Sequence, residues 1–490
     1  MSTQPVTRDH KLASEALSRR HNALAQPYVL EKNPLLIRQE ARESNARSYP
    51  RRLPLALKRA HGIYVEDVEG RVFIDCLAGA GTLALGHNHP VVIAAIRDVL
   101  DEGLPLHTLD LTTPVKDRFV QDLFDILPPD FSRQAKIQFC GPSGADAVEA
   151  ALKLVKIATG RGTMLAFQGA YHGMTQGALN LMGSLGPKRP LNGSLQGVQF
   201  LPYPYDYRCP FGLGGDAGVQ AGMRYIETVL TDPEGGVPAP AGMIFEAVQG
   251  EGGVIPAPDA WVQGMRDLTT AAGVPLIIDE VQTGFGRTGK WFAFEHAGIT
   301  PDVIVLSKAI GGSLPLSVVV YREELDLWKP GAHAGTFRGN QMAMAAGSAT
   351  LGFIKAEALH EHAARMGERL MRQLTQLQTD FPQLGDVRGR GLMVGVEVVE
   401  RDDTSAAPLP AAPALASAIQ AECLKRGLII ELGGRHGSVV RFLPPLIIEA
   451  AQIDHVVEIF AAAVAAALRT RADSEHRGAP RAAPILSSTS

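Results

Sequence analysis

A lysine at the end of a predicted strand is the first feature of this sequence that suggests covalent chemistry. Lys308 follows the apolar run DVIVLS (302–307) and stands just before the glycine pair Gly311-Gly312. Burial at a strand end leaves an ammonium group poorly solvated, which lowers its pKa and frees the amine to form a Schiff base. A lysine that simply faces solvent would show the same pattern, so the sequence leaves both interpretations open at this point.

Three acidic residues stand in comparable positions. Asp279 lies at the end of the run VPLIIDE, and Glu246 and Glu251 bracket the start of a glycine-rich stretch after GMIF. A carboxylate at a strand end can bind a metal, hold a ribose or pair with a protonated ring nitrogen. A helix cap, an ion pair in a loop or a solvated acid would also explain each of them.

A turn rich in small residues links the run KIQFC to the helical run VEAALKLVKIA. It contains Ser143, Gly144 and Ala145. A strand, a tight turn and a helix start in this order leave backbone N–H groups free to bind a phosphate. The turn lacks the Lys-Ser or Lys-Thr pair of a nucleotide-binding P-loop. An ordinary turn in which Ser143 caps the helix is the alternative.

An aromatic pair completes the set of candidate residues. Tyr171 and His172 follow the run TMLAF, and an aromatic side chain at such a place can lie flat against a ring. Together the segments offer a phosphate cradle, a lysine for a Schiff base, an acid for a ring nitrogen and a platform for the ring. Pyridoxal 5′-phosphate requires all four, so we predict that it is the cofactor, and we predict no metal.

Short apolar runs that alternate with helical stretches must position these residues. Between about 90 and 345 the runs are KIQFCG (136–141), TMLAF (163–167), GMIFEA (242–247), VPLIIDE (274–280), DVIVLS (302–307) and LSVVVY (316–321). Runs that are apolar nearly throughout indicate strands covered on both faces of a mostly parallel sheet, which is α/β architecture. Because ligands of such sheets bind at the carboxyl ends of the strands, we expect the candidate side chains to converge there.

The two ends of the chain have a different pattern. The stretch GIYVEDVEGRVFIDCL predicts short antiparallel strands with a turn at Glu69-Gly70, and LMVGVEVV (392–399) predicts a strand within a helix-rich section. A proline- and alanine-rich insertion (405–413) predicts an exposed loop. We therefore divide the chain into a loosely attached N-terminal arm (1–48), a first small-domain segment (49–90), a large cofactor-binding domain (91–345), a second small-domain segment (346–468) and a flexible tail (469–490).

Composition excludes several classes of protein. The 490 residues are 46% hydrophobic and 20% charged with a net charge of −4, which is typical of a globular protein and gives no bulk attraction to nucleic acid or an anionic membrane. Four cysteines without a CxxC pair predict reduced thiols. The N-terminus lacks the apolar core of a secretory signal. The longest apolar run, Ile459–Leu468, is short for a bilayer span. We expect a cytoplasmic protein with no membrane or nucleic-acid partner.

Several longer motifs resemble one family. The stretch PLIIDEVQTGFGRTGKWFAFEHAGITPDVIVLSKAIGG (275–312) is similar to the signature of the class III aminotransferases, which are fold-type I pyridoxal-phosphate enzymes. The glutamate loop IFEAVQGEGG, the aromatic motif AYHG and the late strand motif VVRFLPPL fit the same family. The resemblance covers about residues 50–465. It implies a large domain with a mostly parallel seven-stranded sheet and a small α+β domain built from both chain ends.

The resemblance also implies a role for each site residue. Lys308 would bind the cofactor covalently and move a proton, and Asp279 would keep the pyridine nitrogen protonated. Arg441 would bind the α-carboxylate of glutamate or 2-oxoglutarate, and Glu251 would neutralise Arg441 when the amine donor is bound. The remaining residues would bind the cofactor or line the donor pocket: Ser143, Gly144, Ala145 and, from a partner subunit, Thr336 at the phosphate; Tyr171 and Val281 on the two ring faces; His172 behind the stack; Gln282 at the ring hydroxyl; and Glu246 in the donor pocket.

Within the family, the segments 38–60, 140–154 and 333–347 suggest transfer of the 4-amino group of L-2,4-diaminobutanoate to 2-oxoglutarate. The products would be L-aspartate 4-semialdehyde and L-glutamate, made by a homodimer or a dimer of dimers. Ornithine- and aminobutyrate-type relatives carry an arginine at the position of Met174, and that arginine binds a distal carboxylate. The resemblance therefore does not explain which residue binds the second carboxylate of 2-oxoglutarate. The alternatives are another ω-amine donor such as acetylornithine or ornithine, an aminomutase or decarboxylase, and a non-catalytic cofactor-binding protein.

Overall fold

A computed structural model describes residues 4–191, 197–401 and 409–476 of the chain. Its helices are α1 Gln4–Asn22, α2 Pro34–Arg42, α3 Tyr49–Arg52, α4 Pro90–Asp101, α5 Pro114–Phe124, α6 Pro129–Ser132, α7 Gly144–Thr159, α8 Gln176–Asn180, α9 Gly215–Thr231, α10 Asp259–Ala271, α11 Gln341–Ala356, α12 Leu359–Asp380, α13 Pro413–Lys425 and α14 Ala450–His476. Its strands are β1 Leu57–His61, β2 Tyr64–Asp67, β3 Val72–Asp75, β4 Ala135–Phe139, β5 Met164–Phe167, β6 Val198–Leu201, β7 Gly242–Phe245, β8 Val248–Gln249, β9 Ile255–Pro256, β10 Leu276–Asp279, β11 Val303–Leu306, β12 Val318–Arg322, β13 Leu384–Arg390, β14 Met393–Val398, β15 Leu428–Ile429, β16 Glu431–Gly433 and β17 Val439–Phe442.

The central sheet has seven strands in the order β4-β12-β11-β10-β7-β5-β6. Four of its neighbouring pairs are parallel, and β12 runs antiparallel to both of its neighbours. The predicted mostly parallel, seven-stranded sheet is therefore confirmed. Every residue of β5, β7, β10 and β11 is buried, as strands covered by helices on both faces require.

The order of the strands explains how the candidate residues converge. Because β12 reverses direction between β4 and β11, strand β4 points the same way as β11, β10, β7 and β5. The carboxyl ends of these five strands therefore share one edge of the sheet. Asp279 ends β10, and Lys308 lies two residues after β11.

Two smaller sheets contain the chain ends. In the first, β1-β2-β3-β15, the antiparallel strands β2 and β3 pair as predicted, and β3 pairs in parallel with β15 from the C-terminal part. The second has the order β13-β14-β17-β16 and carries Arg441 on β17. The α+β region built from both ends of the chain is thus confirmed. The predicted domain boundary at 345 falls inside α11, which continues across it.

The N-terminal arm is attached more closely than we predicted. Helix α1 packs on β1, β2 and β3, and it buries Leu17 and His21. The ring nitrogen Nε2 of His21 lies 2.9 Å from the carbonyl oxygen of Gly427. The sequence of α1 is polar on average, so its few apolar contacts do not stand out as a periodic pattern.

The last helix is also longer than the ten-residue apolar run predicted. Helix α14 continues to His476, past the predicted start of the tail at 469. Ala450–Asp473 has the length and composition of a membrane span, but half of its most apolar window is buried against the protein. Such burial is typical of a core helix, and α14 packs on α12 and α13. The predicted tail beyond 476 and residues 405–408 of the predicted loop lie outside the described residues, and the last residue of that loop, Pro413, opens α13.

Candidate active site

A pocket at the shared carboxyl edge of the central sheet collects most of the predicted site residues. Its lining consists of Ser143, Gly144, Ala145, Tyr171, His172, Gly173, Met174, Glu246, Glu251, Asp279, Val281, Gln282 and Lys308. Eleven of the thirteen site residues predicted from the sequence are therefore brought together. The other two, Arg441 and Thr336, do not line the pocket of the described chain.

Lys308 opens a short turn of 3-10 helix in a strained backbone conformation. Its φ of +53° lies in the left-handed region, where a residue with a Cβ is uncommon. Strain of this kind costs about 1–3 kcal/mol and collects at functional sites. Burial lowers the pKa of the Lys308 amine; the charge of Glu251 opposes this effect and that of Arg441 adds to it. The free amine, which is the nucleophilic form, is favoured as a result.

Asp279 is held by two hydrogen bonds. Its Oδ1 accepts from the N–H of Val281 at 3.0 Å, and its Oδ2 lies 2.7 Å from Nδ1 of His172. Burial alone would lower the pKa of His172, but the hydrogen bond and the charge of Asp279 outweigh burial and raise it. The imidazolium and the carboxylate of Asp279 form a buried ion pair. His172, which we predicted to support the ring stack, therefore also positions the acid.

The turn before α7 has the geometry of a phosphate cradle. Ser143 is the N-cap of α7, and its hydroxyl accepts from the N–H of Asp146 at 3.4 Å. The N–H groups of Gly144 and Ala145 belong to the first helical turn, where no helical carbonyl precedes them. A Cβ on Gly144 would lie 3.0 Å from a methyl of Val281, so glycine allows this side chain to come close.

The carboxylate of Asp146 fastens the loop around Thr336 to this turn. It accepts from Arg338 at 2.8 Å and lies 3.2 Å from Nε2 of His333. Among the described residues, Asp146, His333 and Cys140 come close enough together to hold a metal ion. Arg338 already neutralises the acid, and burial raises the pKa of the Cys140 thiol, so the group serves better as a structural anchor.

The glutamate loop lies under the aromatic motif. Glu246 accepts from the N–H of Tyr171 and from the N–H of Gly250, each at 2.9 Å. Burial raises the pKa of Glu246 to about 7, although the nearby His172 opposes this shift. A Cβ on Gly250 would lie 1.9 Å from Oε1 of Gln282. A side chain at position 250 would therefore force Gln282 to move from its place in the pocket.

Arg441 lies directly behind the pocket and is fully buried. Its Nη1 is 2.7 Å from Oε1 of Glu251, and its Nη2 donates to Oε1 of Gln282 at 3.2 Å. Burial favours the neutral form of Glu251, but the charges of Arg441 and Lys308 hold its pKa below the ordinary value. Gln282 also donates to the carbonyl of Ala80 at 3.0 Å, so it links Arg441 to the N-terminal segment.

Sequence reasoning missed two residues next to Arg441. Glu431, on β16, lies opposite Arg441 in the β16–β17 pair, with its Oε2 3.5 Å from Nη1. Tyr49 lies near Glu431; burial raises the pKa of that carboxyl, and Tyr49 opposes this shift. The signal for Glu431 was an acid inside the otherwise apolar run LIIEL (428–432). The sequence around Tyr49 gives no comparable signal, because Tyr49 comes close to Glu431 only when the two ends of the chain pack together.

Thr336 and Met174 lie outside the enclosed part of the site. Thr336 is exposed, and its carbonyl lies 3.0 Å from Nε2 of His107. Met174 is 55% exposed at the pocket lining. Neither residue contributes a charge to the pocket of the described chain.

These features fit pyridoxal 5′-phosphate. The cradle at α7 suits its phosphate, the amine of Lys308 suits its aldehyde, and the carboxylate of Asp279 suits its ring nitrogen. Tyr171 and Val281 line the same pocket and can flank a flat ring.

Comparison with known proteins agrees with this geometry. The family "Aminotransferase class-III" matches residues 45–464. A protein named diaminobutyrate–2-oxoglutarate aminotransferase from Rhizobium meliloti is 61% identical over 87% of this chain and 92% of its own length. One of the same name from Haemophilus influenzae is 53% identical, over 89% and 95% of the two chains.

Solved structures show the same fold. The ω-transaminase of Pseudomonas jessenii in complex with PMP superposes with a TM-score of 0.79 at 28% identity, covering 89% of this chain and 99% of that one. An aminotransferase from Bacillus anthracis superposes with a TM-score of 0.79 at 25% identity, covering 88% and 98%. With a family match over most of its length, a fold-type I architecture and a pocket that fits the cofactor, this chain belongs to the class III aminotransferases, the pyridoxal-phosphate-dependent enzymes.

Proposed function

We propose that this protein transfers the 4-amino group of L-2,4-diaminobutanoate to 2-oxoglutarate, giving L-aspartate 4-semialdehyde and L-glutamate. The observation that carries the proposal is the ion pair between the buried Arg441 and Glu251 of the Lys308 pocket, with 2.7 Å between Nη1 and Oε1. One pocket can then accept an α-amino acid and a terminal amine in turn. The relatives that share 61% and 53% identity carry the name of this activity, which supports the same substrates.

The residues of the chain divide the chemical work. When bound, pyridoxal 5′-phosphate supplies an aldehyde that condenses with amines and a ring that accepts electrons from the carbon being deprotonated. Lys308 holds the aldehyde between turnovers and carries a proton to and from the substrate carbon. Asp279, paired with His172, would hold the proton on the ring nitrogen. The N–H groups of Gly144 and Ala145 hold the phosphate.

The overall proposal is tested by measuring the two half-reactions separately. L-2,4-Diaminobutanoate should remove the visible absorption of the bound cofactor, and 2-oxoglutarate should restore it. A panel with ornithine, acetylornithine and 4-aminobutanoate, compared by kcat/KM, ranks the amine donors. A donor other than diaminobutanoate with the highest kcat/KM would overturn the substrate assignment while leaving the family unchanged.

Arg441→Ala should damage the two half-reactions unequally. Glutamate and 2-oxoglutarate present a carboxylate beside the carbon that reacts, and a guanidinium binds it in a bidentate, charge-assisted contact. Diaminobutanoate reacts at its far end, so Glu251 can keep covering Arg441. Loss of a buried charged contact costs about 2–5 kcal/mol. Single-turnover absorbance should show this loss with 2-oxoglutarate and a much smaller one with diaminobutanoate.

Two further variants separate binding from folding in this experiment. Arg441→Lys keeps a charge but lacks the planar fork, so it should recover little of the 2-oxoglutarate half-reaction. Arg471→Ala removes another arginine of the C-terminal part, one ion-paired 2.8 Å from Glu400, and should leave both half-reactions intact. Equal losses in both halves for Arg441→Ala would mean that this arginine is structural or also binds the donor.

We also propose that the active protein is a homodimer in which Thr336 completes the partner's phosphate site. Thr336 is absent from the pocket lining of its own chain but is exposed on a loop anchored by Arg338. Next to it, Phe337 is 70% exposed, and the segment 106–111 exposes Leu106, Leu109 and Leu111. An exposed apolar patch of this kind is typical of a protein–protein interface. A second copy of the chain would cover the patch and bring Thr336 to the phosphate.

Complementation between two inactive variants tests this arrangement. Thr336→Asp removes the hydrogen bond from the threonine hydroxyl to the charged phosphate and places a negative charge next to it. Loss of that hydrogen bond alone weakens cofactor binding about tenfold or more. Lys308→Ala removes the reacting amine. When the two chains are co-expressed, a mixed dimer should contain one site with both Lys308 and Thr336, so activity should return. Absence of recovery in verified mixed dimers, or a fully active monomer in sedimentation, would contradict the shared site.

A further inference from the structure

A second carboxylate faces Arg441, and its role is not explained by the pair with Glu251. Glu431 is 5% exposed and lies directly across from Arg441 in the β16–β17 ladder. Among the described residues no hydrogen bond reaches its Oε2, which lies 3.5 Å from Nη1 of Arg441. Glu251 takes the closer position on the same nitrogen, at 2.7 Å. One guanidinium is therefore shared by two acids.

The charges of this cluster do not balance without a ligand. With both carboxylates ionised, Glu251, Glu431 and Arg441 carry one excess negative charge, which is unfavourable because Glu431 and Arg441 are buried. Burial raises the pKa of Glu431; the charge of Arg441 opposes this effect, and that of Glu251 adds to it. A cation placed at Oε2 of Glu431 would balance the cluster and satisfy the acceptor atom that lacks a hydrogen bond.

The next step rests on the proposed function, because that function supplies such a cation. When the 4-amino group of diaminobutanoate lies at Lys308, the α-ammonium of the same molecule is attached two carbons away from the reacting carbon. 2-Oxoglutarate has no ammonium group, and the only one of glutamate is the group that reacts. Of the two substrates, only the donor brings an additional positive charge to the cluster. Glu431 reaches this pocket through Arg441, which contacts Glu251 at 2.7 Å, and Glu251 lines the pocket together with Lys308.

We infer that Glu431 is the counter-ion of the α-ammonium group of the donor and selects diamino acids over ω-amino acids that lack this group. Oε2 of Glu431 is a buried acceptor that no hydrogen bond satisfies among the described residues, so it is the atom that an ammonium group would pair with. 4-Aminobutanoate has the chain length of 2,4-diaminobutanoate without the α-ammonium, so the ratio of the two kcat/KM values measures what Glu431 contributes.

Glu431→Gln in the holoenzyme is the principal test, because it removes the charge and keeps the shape. The ratio of kcat/KM for diaminobutanoate to that for 4-aminobutanoate should fall about tenfold to a hundredfold, as expected for loss of a charge-assisted hydrogen bond. The loss should be mainly in KM. The rate of the half-reaction with 2-oxoglutarate should stay within about threefold of that of the unmodified enzyme, a much smaller change than the fall in the donor ratio. Glu431→Asp keeps the charge at a shorter reach and should retain part of the ratio.

Glu422→Gln is the matched control. Glu422 is also a glutamate of the C-terminal part, on α13, and it is ion-paired with Lys425 and Arg426. Its replacement should leave the donor ratio unchanged. An unchanged ratio in Glu431→Gln, or equal losses with both donors and 2-oxoglutarate, would mean that Glu431 serves only as a structural partner of Arg441.

A second donor pair separates failure of this inference from failure of the proposed function. If the unmodified enzyme does not react with diaminobutanoate, the proposed substrate is wrong. Glu431 is then tested with ornithine and 5-aminopentanoate, which also differ only by the α-ammonium. A fall in that ratio in Glu431→Gln supports the inference, and an unchanged ratio overturns it.

Discussion

Replacing Lys308 by alanine should abolish turnover of the holoenzyme with every amine donor. The residue has two roles, because it holds the cofactor covalently and transfers the proton. Proton transfer alone contributes roughly 10²–10⁴-fold to a rate. The purified variant should lack the absorption of covalently bound cofactor and should lose the cofactor on dialysis. Absorbance spectra, retained cofactor after dialysis and single-turnover rates measure the three effects separately.

Lys290 provides the control for this experiment. It lies in the same signature stretch, is exposed and donates to the carbonyl of Glu295 at 3.0 Å. Lys290→Ala should keep the cofactor and the rate. Normal transamination by purified Lys308→Ala would contradict the assignment of the reacting amine.

The backbone of Lys308 allows a further check that does not depend on activity. At φ +53° an alanine retains the strain, whereas a glycine relieves it. Without cofactor, Lys308→Gly should therefore be more stable than Lys308→Ala by about 1 kcal/mol. Thermal unfolding of the two apo-proteins measures the difference. If Lys308→Ala were the more stable of the two, the strained conformation assigned to this position would be wrong.

The sheet and its functional edge could be predicted because the signals are local. Fully apolar runs between turns identified β10 and β11, and the rule for parallel sheets placed Asp279 and Lys308 side by side. Strand β6 was missed because it lies at the end of the sheet and is only partly buried, so Gln199 breaks its apolar pattern. A short edge strand of mixed character cannot be distinguished from a loop by periodicity.

The contacts around Arg441 could not be predicted from local patterns. Three of its neighbours come from distant parts of the chain, namely Tyr49, Glu251 and Gln282, and the fourth, Glu431, lies on the adjacent strand β16. The pairing of β3 with β15 brings the N-terminal and C-terminal parts of the chain together, so that residues from both parts surround Arg441. The resemblance to the family identified Arg441 and Glu251 as partners. The second acid and its tyrosine became visible only when the fold placed them next to the guanidinium.

Replacing Asp279 should separate the chemistry of the ring nitrogen from the fold. The carboxylate is 4% exposed, and the alanine variant should keep the sheet because β10 is held by backbone pairing to β7 and β11. Without an ionised acid the ring nitrogen loses its proton at neutral pH, and the ring becomes a poor acceptor of electrons. We expect kcat to fall by at least 10²–10³-fold, on the order of the loss of one electrostatic stabiliser in an active site.

Asp279→Asn tests whether the negative charge of this side chain, and not only its hydrogen bond, is required. An amide can still hydrogen-bond His172, but it cannot stabilise a protonated ring nitrogen, so its loss of rate should approach that of alanine. The pKa of His172 should fall in both variants, and further in the alanine variant, since the hydrogen bond and the charge of Asp279 raise it; NMR titration of the imidazole measures this change. Asp302→Asn is the control, because Asp302 pairs with Arg266 and Arg322 at the opposite end of β11 and should affect stability more than rate. If Asp279→Asn retained normal kcat while the pKa of His172 fell, Asp279 would act on the imidazole alone, and the ring nitrogen would require a different partner.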